Sequence, residues 1–250
     1  MKKSIACIAE PLAKLFNASF KLGQVPNLLK IAKVCPIYKD GSKSDFANYR
    51  PISVLPSFSK IMEKLVYPRL YNYILKLYIL SPNQFGFRTK HSTFMALLDF
   101  CDRVSNAIDN KKYIIGVFID LKKAFDTIDH KILIDKLFFY GIRGVGQDWF
   151  KSYLSNRKQC VCLNNTCSSY KSVVCGVPQG SVLGPLLFIL YVNDIVNCSN
   201  ILYFTLFADD TNMLYSDNEP CQLISVINQE LYKLSCWFKA NKLSLNIKKN

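Results

Sequence analysis

Leu202-Tyr203-Phe204-Thr205-Leu206-Phe207-Ala208-Asp209-Asp210-Thr211-Asn212-Met213-Leu214-Tyr215 is the stretch on which the fold turns. A long apolar run ends abruptly on two adjacent acids, and a second apolar segment leads away from them. Runs of this length, rich in aromatic and branched side chains, predict strands over 201–207 and 212–215, joined as a hairpin. Two carboxylates at one hairpin tip repel each other, and a nearby cation makes the pairing favourable. An exposed polar turn is the plain alternative.

A similar pattern lies upstream. Gly116-Val117-Phe118-Ile119-Asp120 predicts a buried strand that ends on an acid, after which Leu121-Lys122-Lys123-Ala124-Phe125-Asp126 changes to a helical period. A carboxylate closing an apolar strand is costly to desolvate unless it is paired or binds a metal, which makes Asp120 a candidate ligand. Capping the following helix is the alternative role. If Asp120, Asp209 and Asp210 converge from neighbouring strands, they can bridge two Mg²⁺ ions about 3.5–4 Å apart, the arrangement used for phosphoryl transfer.

Working outward, apolar residues at helical spacing predict helices over 5–22, 58–80, 94–108, 132–140, 182–196 and 223–238. Further strands are expected at 33–38, 113–120, 159–163, 171–174 and 243–247, with loops at Asp40-Gly41-Ser42 and Asn48-Tyr49-Arg50-Pro51. Hairpins interleaved with packing helices make the fold class α+β rather than a doubly wound parallel sheet.

Composition supports a folded chain. Of the 250 residues, 50% are hydrophobic and 20% charged, so apolar material is ample for a core and disorder is excluded. The longest apolar run, Leu186 to Val192, is far short of the roughly 20 residues of a spanning helix. The apolar stretch after Met1-Lys2-Lys3 is cut at Glu10-Pro11, unlike a signal peptide, so a cytoplasmic or nuclear protein is expected. The ten cysteines form no CxxC pair and read as reduced, buried thiols. The cluster Cys160, Cys162, Cys167 and Cys175 fits a hairpin better than a zinc site, whose ligand pairs are usually two to four residues apart. The net charge is +14, and the first hundred residues hold fifteen Lys and Arg against five acids. A basic region ahead of a carboxylate site suits a protein that grips a polyanion, although a merely soluble basic surface has the same balance.

With these residues in view, the chain resembles the reverse transcriptases of non-LTR (LINE-type) retrotransposons, particularly the jockey and CR1-like elements. Asp40-Gly41-Ser42 through Asn48-Tyr49-Arg50-Pro51-Ile52-Ser53 is similar to the family's fingers motif, and Asn83-Gln84-Phe85-Gly86-Phe87-Arg88 with His91-Ser92-Thr93 to its next block. Phe118-Ile119-Asp120 to Ala124-Phe125-Asp126 resembles motif A, Gly176-Val177-Pro178-Gln179-Gly180-Ser181-Val182-Leu183-Gly184-Pro185 motif B, and Phe207-Ala208-Asp209-Asp210 motif C. The resemblance implies a right-hand polymerase: an N-terminal extension and basic fingers over 1–110, and a ferredoxin-like palm over 111–250 that reaches the start of motif D.

The resemblance also implies roles. Asp120 and Asp209 are the principal metal ligands and Asp210 the third acid, with a structural role as its alternative. Phe125 is the aromatic gate beneath the sugar, unless it is only a core ring. Gln179 and Gly180 form a turn that approaches nucleotide or strand. Arg50 grips the triphosphate, helped by Lys39 unless that lysine is merely solvated. Arg88 touches the template backbone, and Lys249 acts near the leaving pyrophosphate. Asp126 and Asp129 flank the helix rather than bind metal. Asn250 stands where the family commonly has threonine. The expected function is RNA-directed DNA polymerisation with two Mg²⁺ ions, Mn²⁺ being the substitute, and with RNA template, DNA primer and dNTPs as partners and no membrane. No thumb is read after the palm and no endonuclease before it, so a truncated copy is expected. The alternatives are a catalytically impaired remnant that only binds nucleic acid, and a metal-independent binding module, against which stands the lack of aromatics interleaved with the basic stretch.

Overall fold

The computed structural model describes residues 2–163 and 166–246. In chain order these form α1 (Lys2–Leu22), β1 (Ile31–Tyr38), β2 (Tyr49–Val54), α2 (Ser57–Lys76), α3 (Thr93–Asp109), β3 (Tyr113–Ile119), α4 (His130–Phe139), α5 (Val145–Leu154), β4 (Arg157–Leu163), β5 (Thr166–Cys167), β6 (Lys171–Val173), α6 (Gly184–Val192), β7 (Tyr203–Phe207), β8 (Asp210–Asp217) and α7 (Pro220–Ala240), with short 3-10 turns between some of them. This is the α+β mixture expected. Two compact units emerge, each from two stretches: 1–71 with 130–184, and 72–129 with 185–250. Each unit takes chain from both sides of residue 110, so a single cut there does not separate them.

The first unit holds a sheet in the order β2-β1-β4-β5, with β6 also paired to β4. β1 runs antiparallel to β2 and parallel to β4. The stretch Tyr49–Pro51, expected as loop, is the first half of β2. Proline removes a ladder donor, yet β2 is an edge strand and sets Pro51 opposite Pro36, so neither ring interrupts a bonded pair elsewhere in the sheet. α5, not anticipated, packs on α1 and α4. Its buried face includes Trp149, which stacks on Tyr153 with ring centres 5.5 Å apart and donates from Nε1 to Ser19 Oγ at 3.1 Å.

The thiol reading is corrected here. Cys162 and Cys167 are disulfide-bonded across β4 and β5, and of the other cysteines only Cys160 is buried; Cys7, Cys101, Cys175, Cys221 and Cys236 are exposed. Cys162 and Cys167 are cross-strand partners in the short hairpin, which brings their side chains together. Cys160 lies two residues along the same strand, with its Sγ 3.7 Å from Cys162 Sγ.

The second unit is built on an antiparallel sheet ordered β3-β8-β7, against which α3 and α7 pack. β7 and β8 are the expected hairpin. α6 is apolar all round and is buried from Leu186 to Val192, as such a helix must be. The helix expected over 182–196 is shorter: it starts at Gly184, ends at Val192 and tightens into a 3-10 segment over Asn193–Cys198. The strand expected over 243–247 is reduced to an isolated bridge between Leu245 and Leu121, and Ile247 lies outside the described residues. Among the described residues no helix is long and apolar enough to cross a membrane.

Candidate active site

In the second unit, Phe207 pairs with Asp210, so Ala208 and Asp209 are the two central residues of the β7–β8 turn. Ala208 takes a left-handed φ of +57°, which twists the chain as tight hairpins require but costs a non-glycine residue about 1 kcal/mol or more. On the other side of β8, Ile119 pairs with Thr211. One residue beyond that pair stand Asp120 and Asp210, so register alone carries Asp120 to the same end of the sheet as the hairpin tip. Asp120 and Asp209 are half-buried and Asp210 is exposed. These are hard oxygen donors, the chemistry that Mg²⁺ takes. The three carboxylates are not gathered into one closed ligand sphere: among the described residues the set whose ligand atoms all lie within 4.8 Å is Cys160, Cys162 and Cys167, two of which are bonded to each other.

Asp120 is held from a direction the sequence did not suggest. Asn246 donates from Nδ2 to Asp120 Oδ2 at 2.8 Å and from its backbone N to Asp120 O at 2.9 Å. The Lys122 N–H donates to Ser244 O at 2.9 Å, completing a short clip between the segment after β3 and the segment after α7.

Phe125, in the 3-10 turn Ala124–Asp126, stacks on Phe188 with ring centres 4.5 Å apart and meets the edge of Phe87 at 6.2 Å. It is half-buried, with one side packed and the remainder accessible. Asp129 accepts from Lys242 Nζ at 2.6 Å, which ties the start of α4 to the segment after α7. Arg88 donates from Nη1 to Ser81 O at 2.9 Å and Gln84 O at 3.0 Å, so this guanidinium braces its own loop.

The remaining expected site residues lie in the first unit. Gln179 O accepts from Ser53 N at 2.7 Å, which ties the 176–183 loop to β2. Gly180 has φ +116°, and a Cβ there would stand 2.7 Å from Ser53 O, so no other residue fits. Sequence reading missed the support beneath this loop. Glu63, fully buried on α2, accepts from Val182 N at 2.6 Å, Leu183 N at 3.4 Å and Tyr153 Oη at 2.9 Å. Burial pushes the Glu63 carboxyl above its ordinary pKa, while these donors and the nearby Arg157 pull it back. Arg50 is exposed on β2 opposite Ile37, and Lys39, just past β1, is exposed with its backbone N–H donating to Asn48 O. Lys249 lies outside the described residues.

Residues 38–250 match the family profile described as reverse transcriptase (RNA-dependent DNA polymerase). The chain belongs to the reverse transcriptase family. Every motif that carried the resemblance, from Asp40 to Asp210, falls inside that match. Its relatives include the probable RNA-directed DNA polymerase from transposon BS of Drosophila melanogaster, 35% identical over 95% of this chain and 27% of that protein. The RNA-directed DNA polymerase from mobile element jockey of the same species is 33% identical over 95% of this chain and 27% of its own length. The chain thus spans about a quarter of the curated relatives it matches. Apo telomerase from Candida tropicalis shares the reverse transcriptase fold with a TM-score of 0.64 at 13% identity, over 97% of this chain and 48% of that one. Telomerase from Candida albicans, in complex with a fragment of telomeric RNA, does so with a TM-score of 0.63 at 15% identity, over 88% of this chain and 42% of that one.

Proposed function

We propose that the chain is the polymerase core of a non-LTR retrotransposon reverse transcriptase, which extends a DNA primer on an RNA template by adding dNTPs. The observation that carries this reading is the register of the three-stranded sheet. Ile119 against Thr211, and Phe207 against Asp210, bring three carboxylates from two chain segments to one sheet end. Asp120, Asp209 and Asp210 would hold two Mg²⁺ ions, or Mn²⁺ in their place, which when bound supply an activated primer hydroxyl and a neutralised triphosphate.

The chain's own residues do the rest. Asn246 keeps Asp120 turned toward one orientation by bonding its Oδ2. Phe125, fixed by Phe188 and Phe87, offers a rigid aromatic surface beneath the sugar, where a 2′-hydroxyl would collide. Gly180 lets backbone come close to a base or strand, and the Gln179 amide both donates and accepts there. Arg50 supplies a guanidinium fork for the triphosphate, with Lys39 and Lys249 as further phosphate contacts. The basic first hundred residues hold the duplex backbone. Regions of the parent polyprotein beyond this core, thumb and endonuclease, would complete the clamp and the target cleavage. RNA and dNTPs place the reaction in cytoplasm or nucleus.

The test is incorporation of labelled dNTP into a DNA primer annealed to RNA. Extension that follows the template, needs Mg²⁺ and stops on chelation is expected. Duplex binding without extension, in a chain also given the thumb segment of its parent, would contradict the reading.

A further inference from the structure

The turn that presents Asp209 and Asp210 has a neighbour outside the hairpin. Residues 83–86 lie along the free edge of β7. Leu206 N donates to Asn83 O at 2.9 Å and Phe85 N donates to Leu206 O at 2.8 Å, a parallel bridge that centres on Gln84 and Leu206. The approach at Gly86 is so close that a Cβ would stand 2.2 Å from Ala208 N. Gln84 is fully buried, and its Oε1 accepts from two backbone donors at once, Gly86 N at 2.8 Å and Ala208 N at 3.1 Å.

Ala208 is the strained residue of the turn, and its N–H is one of the two that a two-residue hairpin turn leaves outside its own ladder. An unpaired buried N–H would let the turn relax to other conformations at little loss. The acceptor that prevents this comes from 124 residues away. The other end of the amide is not matched: Gln84 Nε2 is buried with no hydrogen-bond partner among the described residues. The amide is thus engaged through its oxygen alone.

We propose that Gln84 is a positioning residue for the metal-binding acids: its Oε1 fixes Ala208 and so sets the direction in which Asp209 and Asp210 leave the turn. The proposal rests on the reading of those acids as metal ligands. Support of a ligand from just outside the coordination sphere is commonly worth about 10–100-fold in metal affinity.

Two substitutions separate the acceptor from the shape. Gln84→Met keeps length and apolar packing but has no strong acceptor, whereas Gln84→Glu keeps an oxygen facing both N–H groups. The probe is Mn²⁺ alone, titrated into the full chain and followed by electron paramagnetic resonance, at a temperature where circular dichroism shows every variant folded. Expected is saturable Mn²⁺ binding by the wild type, weakened by Asp209→Asn, weakened about tenfold or more by Gln84→Met, and not weakened by Gln84→Glu. A purely structural role would lower the melting temperature and leave Mn²⁺ affinity where it was. Wild-type affinity in Gln84→Met, or equal losses in Met and Glu variants, would overturn the proposal while the metal reading stands. Absence of Mn²⁺ binding by the wild type, or binding indifferent to Asp209→Asn, would overturn both.

Discussion

Asn246 Nδ2 donates a 2.8 Å hydrogen bond to Asp120 Oδ2, across 126 residues of chain. This bond makes Asn246 an orienting partner for the carboxylate at the end of β3. Asn246→Asp replaces the donor by a like charge of nearly the same shape. Primer extension at neutral pH should fall about tenfold, the scale of losing a ligand's supporting partner, with the melting temperature little changed. Steady-state extension on an RNA template checks it, and an unchanged rate would release Asn246 from the site.

Phe125 sits between Phe188 and Phe87, so truncating it removes the proposed gate and part of a ring cluster together. Loss of a fully buried ring costs about 3–5 kcal/mol, and loss of this half-buried one costs less but still lowers the yield of active protein. The ratio of ribonucleotide to deoxynucleotide incorporation is independent of that yield. Phe125→Ala should raise the ratio clearly, by about tenfold if one steric contact worth roughly 1.4 kcal/mol is lifted. An equal decline of both substrates would leave Phe125 as core only.

Arg50 projects from the exposed edge strand β2, where its removal disturbs no packing. Arg50→Ala should raise the KM for dNTP by about tenfold or more, as loss of a charge-assisted phosphate contact of roughly 1.5–3 kcal/mol requires. Affinity for an RNA–DNA duplex, carried by many basic residues, should change little but fall steeply with salt in both proteins. Paired measurements of KM and of duplex binding against salt test both halves.

Glu63 is a buried carboxyl whose pKa is raised by burial above its ordinary value of 4.5. The folded state therefore holds this proton to higher pH than the unfolded state does. Its contribution favours folding below the ordinary value and is lost as pH rises through the folded pKa. Glu63→Gln cannot titrate. The difference in unfolding free energy, wild type minus variant, should accordingly decrease from pH 4 upward and then level off. Denaturant unfolding over that range reads it directly, and a difference that grows with pH would contradict the burial-dominated assignment.

The placement of the three acids at strand ends was legible because local pattern and chemistry agreed there. An apolar strand that ends on Asp120, and another that ends on Asp209 and Asp210, each set carboxylates where desolvation is costly without a partner. The strand β2 was not legible, since Asn48-Tyr49-Arg50-Pro51 carries turn residues and only edge pairing with β1 makes it a strand. Nor were the supporting side chains. Glu63, Gln84 and Asn246 act on backbone or carboxylate groups 119, 124 and 126 residues distant, and local sequence does not reveal those partners. The disulfide between Cys162 and Cys167 was hidden for a related reason: it depends on β4 and β5 being cross-strand partners.

The most direct test of the polymerase reading is Asp209→Asn, a nearly isosteric change at the half-buried second position of the β7–β8 turn that removes charge and leaves shape. Rates of dNTP addition to a DNA primer on an RNA template, in Mg²⁺, should fall to background while circular dichroism and melting temperature stay near those of the wild type. Extension by the folded variant at the wild-type rate would contradict the assignment of Asp209 to the metal centre and, with it, the account of catalysis given for this chain.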